Sequence, residues 1–171
     1  MPDQTPRELL QPALLDRLTD DEPDKKLELR QQRVISKKRM REAVLRDLAW
    51  LFNTTRLDPD MDPATLPLAR RSVVNYGLPA LAGQTASTLE VPDLERAIKQ
   101  AILDYEPRIL PASLRLRALE TAGLDHHNVI GVEISGLLWA QPIPLELLVR
   151  TEIDLETGQV EVADLAPSRV S

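Results

Sequence analysis

Two acidic side chains are the first candidates for chemistry, because a pair of carboxyl groups is sufficient for glycoside hydrolysis. Glu95 and Asp104 lie nine positions apart, in a stretch with the apolar spacing of a helix. Nine helical residues rotate by roughly 900°, which places the two side chains on opposite sides of the helix. We therefore predict that this pair cannot flank one glycosidic bond.

Other catalytic and metal-binding patterns are weaker still. The two histidines, His126 and His127, are adjacent in a predicted loop and are not accompanied by a set of acidic ligands. The chain contains no cysteine, which excludes disulfide bonds and thiolate chemistry. Its six glycines are scattered singly, so no glycine-rich phosphate loop is present. We expect that the protein is not an enzyme and that it holds no metal or cofactor.

The stretch Asp58-Pro59-Asp60-Met61-Asp62 has aspartates at alternate positions, as the first three ligands of a calcium-binding loop do. Such a loop needs glycine at its sixth position and a bidentate glutamate at its twelfth. The chain has Pro63 and Ala69 at these two positions. The aspartates are accordingly interpreted as turn and helix-cap residues.

The stretch Glu106-Pro107-Arg108 carries two opposite charges at the point where helical spacing changes to strand alternation. Pro107 has no N–H group and disfavours helical geometry at the residue before it, so the preceding helix should end there. If the two charges are buried they must be paired, because an unpaired buried charge is costly. Two interpretations are open: Glu106 and Arg108 form an internal ion pair, or they contact a partner protein.

Composition limits the class of protein. The 171-residue chain has a net charge of -6, with 43% hydrophobic and 3% aromatic residues. The negative charge disfavours nucleic acid and anionic membranes as partners, and the scarcity of aromatic rings leaves few platforms on which bases can stack. No stretch has the pattern of a signal peptide or a membrane span. We expect a cytoplasmic protein without direct membrane insertion.

Residues 1–35 are predicted to form a flexible arm, because this part of the chain is rich in proline and charge. A short docking helix near residues 13–19 places Leu14, Leu15 and Leu18 on one face. So short a helix is not stable alone, so the three leucines should dock on this domain or on another protein.

Residues 36–165 are predicted to form a single α+β domain, followed by a tail at residues 166–171. Apolar residues recur at helical spacing from Ser36 to Phe52 and from Pro92 to Tyr105. A shorter helix is predicted in the stretch 68–81 between them, ended by Gly77 in a left-handed conformation.

Strand alternation follows the second long helix. Helices followed by consecutive strands predict N-terminal helices packed on one face of a mainly antiparallel C-terminal sheet of about four strands. The alternating stretches are 114–118, 130–138, 147–154 and 160–162.

Five stretches of the sequence, taken in order, carry a resemblance. They are Leu14-Leu15-Asp16-Arg17-Leu18, Leu45-Arg46-Asp47-Leu48-Ala49-Trp50-Leu51-Phe52-Asn53-Thr54, Ser72-Val73-Val74-Asn75-Tyr76-Gly77-Leu78-Pro79, Glu106-Pro107-Arg108-Ile109 and Arg150-Thr151-Glu152-Ile153-Asp154-Leu155-Glu156-Thr157-Gly158. Together they resemble the lysozyme-like baseplate wedge family of contractile phage tails, and within it the members found in bacterial type VI secretion systems. The chain departs from that family at Ala80, where an acidic residue is usual.

The resemblance implies a structural, non-enzymatic role in a baseplate docked at the inner face of the cytoplasmic membrane. It implies other wedge subunits, sheath subunits and the central spike as partners, and it implies that the protein initiates polymerisation of the contractile sheath. Glu106, Pro107 and Arg108 correspond to the signature motif of the family.

A strand meander also ends in edge strands, which are templates for the addition of another strand. We expect the strands around residues 147–153 and 160–162 to provide such an edge for sheath strands. The residues assigned to this contact are Leu147, Val149, Thr151, Ile153, Val160 and Val162.

Two other classes of function are open. A small regulatory binding module on the same fold would bind one soluble partner rather than join a large assembly. A residual glycosidase would hydrolyse cell wall and would lose this activity on substitution of Glu95 or Asp104.

Overall fold

The computed structural model describes residues 13–19, 36–57, 67–83, 90–119, 128–140 and 143–165. The predicted tail and most of the predicted arm lie outside these ranges. So do His126 and His127, and the aspartates at positions 58, 60 and 62.

Helical elements precede the sheet. The α-helices are α1 (Leu14–Leu18), α2 (Lys37–Phe52), α3 (Pro67–Arg70) and α4 (Val91–Tyr105), and two 3₁₀ turns cover Val73–Asn75 and Pro111–Ser113. None of these described helices has the length and apolar character that crossing a membrane requires.

The two long helices form where apolar spacing predicts them. Helix α2 begins after Ser36, whose side-chain oxygen accepts a hydrogen bond from the N–H of Arg39 at 3.1 Å and caps the helix. Helix α4 ends at Tyr105, and Glu106 already has non-helical geometry because Pro107 follows it. The buried side chains of the two helices are Met40, Ala43, Val44, Leu48, Leu51, Phe52, Leu94, Ile98, Ala101 and Ile102.

The helix predicted in the stretch 68–81 is wrong, because the chain there forms only the single turn of α3 and a 3₁₀ turn. Gly77 does not cap a helix: its φ is +123°, and a Cβ at this position would lie 2.1 Å from the main-chain oxygen of Thr54. The glycine instead permits a close approach of two main-chain segments, at which the N–H of Leu78 donates to that same oxygen at 2.8 Å.

The sheet contains β1 (Arg115–Leu119), β2 (Val129–Leu138), β3 (Leu145–Asp154) and β4 (Val160–Asp164). Neighbouring strands are antiparallel and their order is β1-β2-β3-β4. Helix α2 packs on β4 and α4 on β1, and most charged residues of the strands face away from this core. Asp164 is an exception: it lies on the helix side of the sheet, where its carboxylate is 2.8 Å from Nε of Arg41 on α2. The predicted α+β architecture is confirmed.

The position of β3 corrects one prediction. Val149, Thr151 and Ile153 pair with β2 on one side and with β4 on the other, so this strand is interior and is not an edge. Its inward side chains are in the core, including Leu147 at 1% exposure, and the hydroxyl of Thr151 donates to the carbonyl of Val132. The edges of the described sheet are β1 and β4, and of the predicted edge residues only Val160 and Val162 lie on one.

Candidate functional site

Glu106 and Arg108 contact each other at the helix–sheet junction. The Nε of Arg108 donates to Oε1 of Glu106 at 2.6 Å, and a second guanidinium nitrogen of Arg108 donates to Oε2. The main-chain N–H of Arg108 also donates to Oε1, at 3.1 Å. The turn at Pro107 brings the two side chains together. They form a bidentate ion pair, in which Glu106 is only 4% exposed.

The junction is also held by the main chain. Ile109 forms an antiparallel bridge with Leu138 at the end of β2, and the carbonyl of Arg108 accepts from the N–H of Trp139 at 2.7 Å. The motif therefore joins the end of α4 directly to the sheet, while the ring of Pro107 remains exposed.

Asp47 of α2 is a second partner of Arg108. Its Oδ2 accepts from the guanidinium of Arg108 at 2.5 Å, and its Oδ1 accepts from Nε of Arg46 at 2.9 Å. The sequence pattern does not single out Asp47, which lies 61 positions before Arg108. Its only signal is its place within one of the five resembling stretches.

Arg46 extends this network to the N-terminal helix. It donates to Asp16 of α1 at 2.7 Å and lies over the ring of Trp50, 5.0 Å from the centroid. The short helix is thus held by a polar side chain. Its predicted docking residues face away from the core: Leu14 is 69% exposed, Leu15 45% and Leu18 74%.

The five residues form a chain of alternating charge, in the order Asp16, Arg46, Asp47, Arg108, Glu106. For Arg108, burial acts to lower the pKa, but the hydrogen bonds and charges of Glu106 and Asp47 outweigh it and raise the pKa above its ordinary value. The guanidinium therefore stays charged. With three carboxylates and two guanidinium groups, the network carries a net negative charge.

An open groove of about 440 Å³ lies beside this network. Tyr76 and Tyr105 form one part of its wall, with ring centroids 5.2 Å apart in an edge-to-face arrangement. Burial raises the pKa of Tyr76, and the charge of Asp47 raises it further. Trp50, which is half exposed, and Pro107 complete the apolar lining beside Arg108. A groove of this kind can receive an apolar side chain of a partner, while Glu106 and Arg108 beside it keep their hydrogen bonds to each other.

The two acids nine positions apart are engaged separately, as the helical rotation predicts. Glu95 accepts from the main-chain N–H of Ala118 on β1 at 2.6 Å. Asp104 accepts from Arg71 at 2.9 Å, elsewhere on the molecule. In the part of the chain that the structure describes, no three histidine, cysteine or acidic residues are grouped as metal ligands.

Fold and site together define a small α+β domain with an apolar groove beside a buried ion-pair network and with two sheet edges. Residues 38–143 match the family described as baseplate wedge protein gp25, a range that contains α2 from its second residue, all of α4, the Glu106-Pro107-Arg108 motif and every groove residue except Ala13. Because this range is more than half of the chain, the chain belongs to that family. No curated protein and no solved structure matches it.

Family membership confirms the resemblance to baseplate wedge proteins. It assigns the chain a structural role in a phage-tail-like baseplate, in contact with other baseplate components.

Proposed function

We propose that this chain is the TssE subunit of a bacterial type VI secretion system. In that role it is not an enzyme: it links the wedge subunits TssF, TssG and TssK to the sheath subunits TssB and TssC, and initiates sheath polymerisation. The spike protein VgrG is a further candidate partner. The site of action is a cytoplasmic baseplate docked at the inner face of the cytoplasmic membrane.

The resemblance supporting this assignment extends beyond the range matched by the family. Helix α1 carries the first resembling stretch, and the β3–β4 hairpin carries the last, Arg150 to Gly158. Both lie outside residues 38–143. The proposal of a type VI baseplate rests on all five stretches taken in order.

The observation that carries the proposed wedge contact is the groove beside the Glu106–Arg108 pair. Its apolar wall stays open to solvent at Trp50 and Pro107, although these surfaces are costly to expose. The ion pair at its edge is charged and internally satisfied, so a partner can cover it without leaving an unpaired charge. A wedge subunit that inserts an apolar side chain beside Pro107 fits this groove.

The leucines of α1 supply a second proposed contact. Asp16 fixes the helix to Arg46, and this anchor turns Leu14 and Leu18 toward solvent, each more than two-thirds exposed. A five-residue helix gains little stability from its own hydrogen bonds, so burial of these leucines against a wedge subunit would stabilise it.

The decisive experiment is co-purification of the full chain with wedge and sheath subunits. We compare the wild type with the double variant Glu106→Ala/Arg108→Ala, after circular dichroism has verified that the variant is folded. The matched control is Arg71→Ala/Asp104→Ala, which removes another arginine–carboxylate pair, between Arg71 and Asp104 of α4, neither of which lines the groove. We expect wedge binding to weaken in the first double variant and to persist in the control.

Three other outcomes decide against parts of the proposal. Equal wedge binding by both double variants would assign the Glu106–Arg108 pair a purely structural role. Failure of the wild type to bind any wedge or sheath protein would overturn the type VI assignment in favour of a regulatory binding module. Hydrolysis of purified cell wall, lost on Glu95→Gln or Asp104→Asn, would establish a glycosidase.

A further inference from the structure

Side chains bond with outward-facing main-chain groups along both edges of the sheet. On β4, Oδ1 of Asn53 accepts from the N–H of Val160 at 2.9 Å, and its Nδ2 donates to the carbonyl of Val160 at 2.8 Å. Nδ2 also donates to the carbonyl of Ala49 at 2.8 Å, which fixes the orientation of the amide. Asn53 thus pairs with Val160 in the way that a residue of a fifth strand would.

The β1 edge is closed at two positions. Glu95 of α4 accepts from the N–H of Ala118 at 2.6 Å, and the guanidinium of Arg115 donates to the carbonyl of Leu114 at 3.0 Å. Alternate residues of an antiparallel strand direct their main-chain groups to the same side. The main-chain N–H and carbonyl of Leu116 therefore point away from β2, between these two closed positions. A strand added to β1 would find one open position, with blocked groups on both sides of it.

The β4 edge is closed at Val160. By the same alternation the main-chain groups of Val162, like those of Val160, point away from β3. Within the described ranges no group bonds with this N–H of Val162. An added strand can therefore pair with β4 at Val162. It cannot pair with Val160 unless it displaces Asn53.

We infer that Asn53 sets the register of strand addition on β4, and that Glu95 and Arg115 exclude β1 as the acceptor. This inference rests on the proposed function, in which a sheath subunit adds a strand to this sheet. The register of pairing matters because a shift by one residue would turn every side chain of the added strand to the opposite face.

The side chains on β4 specify the chemistry of the added strand. The side chain of Val162 lies on the core face, opposite the buried Thr151. An apolar side chain next to it on the added strand would therefore be favoured. On the outer face Glu161 lies directly opposite Glu152, which is itself 3.3 Å from Arg150. Like charges directly opposite each other are destabilising, so a lysine or arginine next to Glu161 would be favoured. The occupant is an extended segment with alternating apolar and basic residues.

Hydrogen exchange of the full chain, alone and with purified sheath subunits, tests which edge is used. We expect the amides of β4 around Val162 to exchange at least tenfold more slowly in the complex, while those of β1 around Leu116 do not change. Protection of β1, or of neither edge, in a complex that still forms would overturn this inference and leave the proposed function standing. Absence of any complex would overturn the proposed function itself.

Charge reversal tests the chemistry of the partner strand. We expect Glu161→Lys to weaken sheath binding about fivefold to tenfold. The control is Glu146→Lys, which makes the same change of charge on the same face of the sheet but beyond the end of β4. Equal affinities for the two variants would contradict a basic residue next to Glu161.

Removal of the side-chain cap tests Asn53 directly, with no partner present. We expect the Val160 amide to exchange at least tenfold faster in Asn53→Ala than in the wild type. Thr54→Ala is the matched control, because Thr54 donates to the carbonyl of Trp50 at the same helix end and, among the described residues, forms no hydrogen bond with β4. If the Val160 amide exchanges at the same rate in both variants, Asn53 does not close this edge.

Discussion

Asp47 and Arg108 lie 61 positions apart in the chain, and a hydrogen bond of 2.5 Å joins their side chains. Through this bond α2 is connected to the helix–sheet junction, where Glu106 accepts from Nε and from a terminal nitrogen of the same guanidinium. Arg108 is therefore shared by two carboxylates that come from different elements.

Removal of Asp47 should destabilise the protein, because Arg108 would keep its charge but lose one of its two partners. We expect Asp47→Ala to lower the free energy of unfolding by about 1–3 kcal/mol, measured by urea denaturation at neutral pH. Asp93→Ala is the control, since its pair with Arg96 is exposed and should contribute less than about 1 kcal/mol. Equal effects of the two substitutions would show that the Asp47–Arg108 bond adds no more than a surface ion pair.

Removal of Arg108 should be more costly, because it leaves the carboxylate of Glu106 buried without its main partner. We expect Arg108→Met to cost about 3 kcal/mol of unfolding free energy, and the double variant Glu106→Gln/Arg108→Met to recover part of this loss. A double-mutant cycle by urea denaturation measures the coupling between the two residues. Additive effects would contradict the ion pair as described.

Gly77 should tolerate no side chain. A Cβ would meet the main-chain oxygen of Thr54 at 2.1 Å, at a φ of +123° that other residues rarely adopt. We expect Gly77→Ala to destabilise the protein by more than about 2 kcal/mol or to prevent folding. Gly83→Ala provides the comparison: its φ is +82°, but apart from its chain neighbours no atom of the described residues lies within 4 Å of the added Cβ, so backbone strain of about 1 kcal/mol is the expected cost.

The hairpin between β3 and β4 should confer a dependence on pH. The carboxylate of Asp154 accepts from the main-chain N–H groups of Glu156 and Thr157, and these bonds hold its pKa below the ordinary value. A lowered folded pKa gives stability that is present above the unfolded pKa and is lost as the pH falls through the folded pKa. NMR titration should therefore give a midpoint for Asp154 below that of an unfolded aspartate.

Stability curves should show the same dependence. The difference in unfolding free energy between the wild type and Asp154→Asn should diminish as the pH falls below the ordinary aspartate range. A difference that grows on acidification would contradict this assignment.

Polar substitution of the α1 leucines should separate binding from stability. Leu14 and Leu18 are exposed in the free chain, so Leu14→Ser/Leu18→Ser should change the unfolding free energy by less than about 0.5 kcal/mol. The same variant should lose affinity for wedge subunits in co-purification. Asp16→Ala, which removes the anchor to Arg46 and leaves the leucines in place, distinguishes the apolar contact from the orientation of the helix.

Local sequence determined the two long helices, the four strands and the α+β class. Apolar spacing along α2 and α4 and alternation along β2 and β3 report which face of each element is buried, and Pro107 marks the helix end by its own covalent geometry. These features depend on neighbouring residues, so they are visible without the fold. The opposed positions of Glu95 and Asp104 follow from the same periodicity.

Tertiary structure alone decided the order of the strands and the partners of the site. The sequence of β3 suits an edge or an interior strand equally, and only its pairing on both sides shows which it is. The same is true of Asp47 with Arg108 and of Asn53 with Val160, pairs separated by 61 and 107 positions. Such contacts leave no periodic signal, because each depends on the packing of two distant elements and not on the residues beside it.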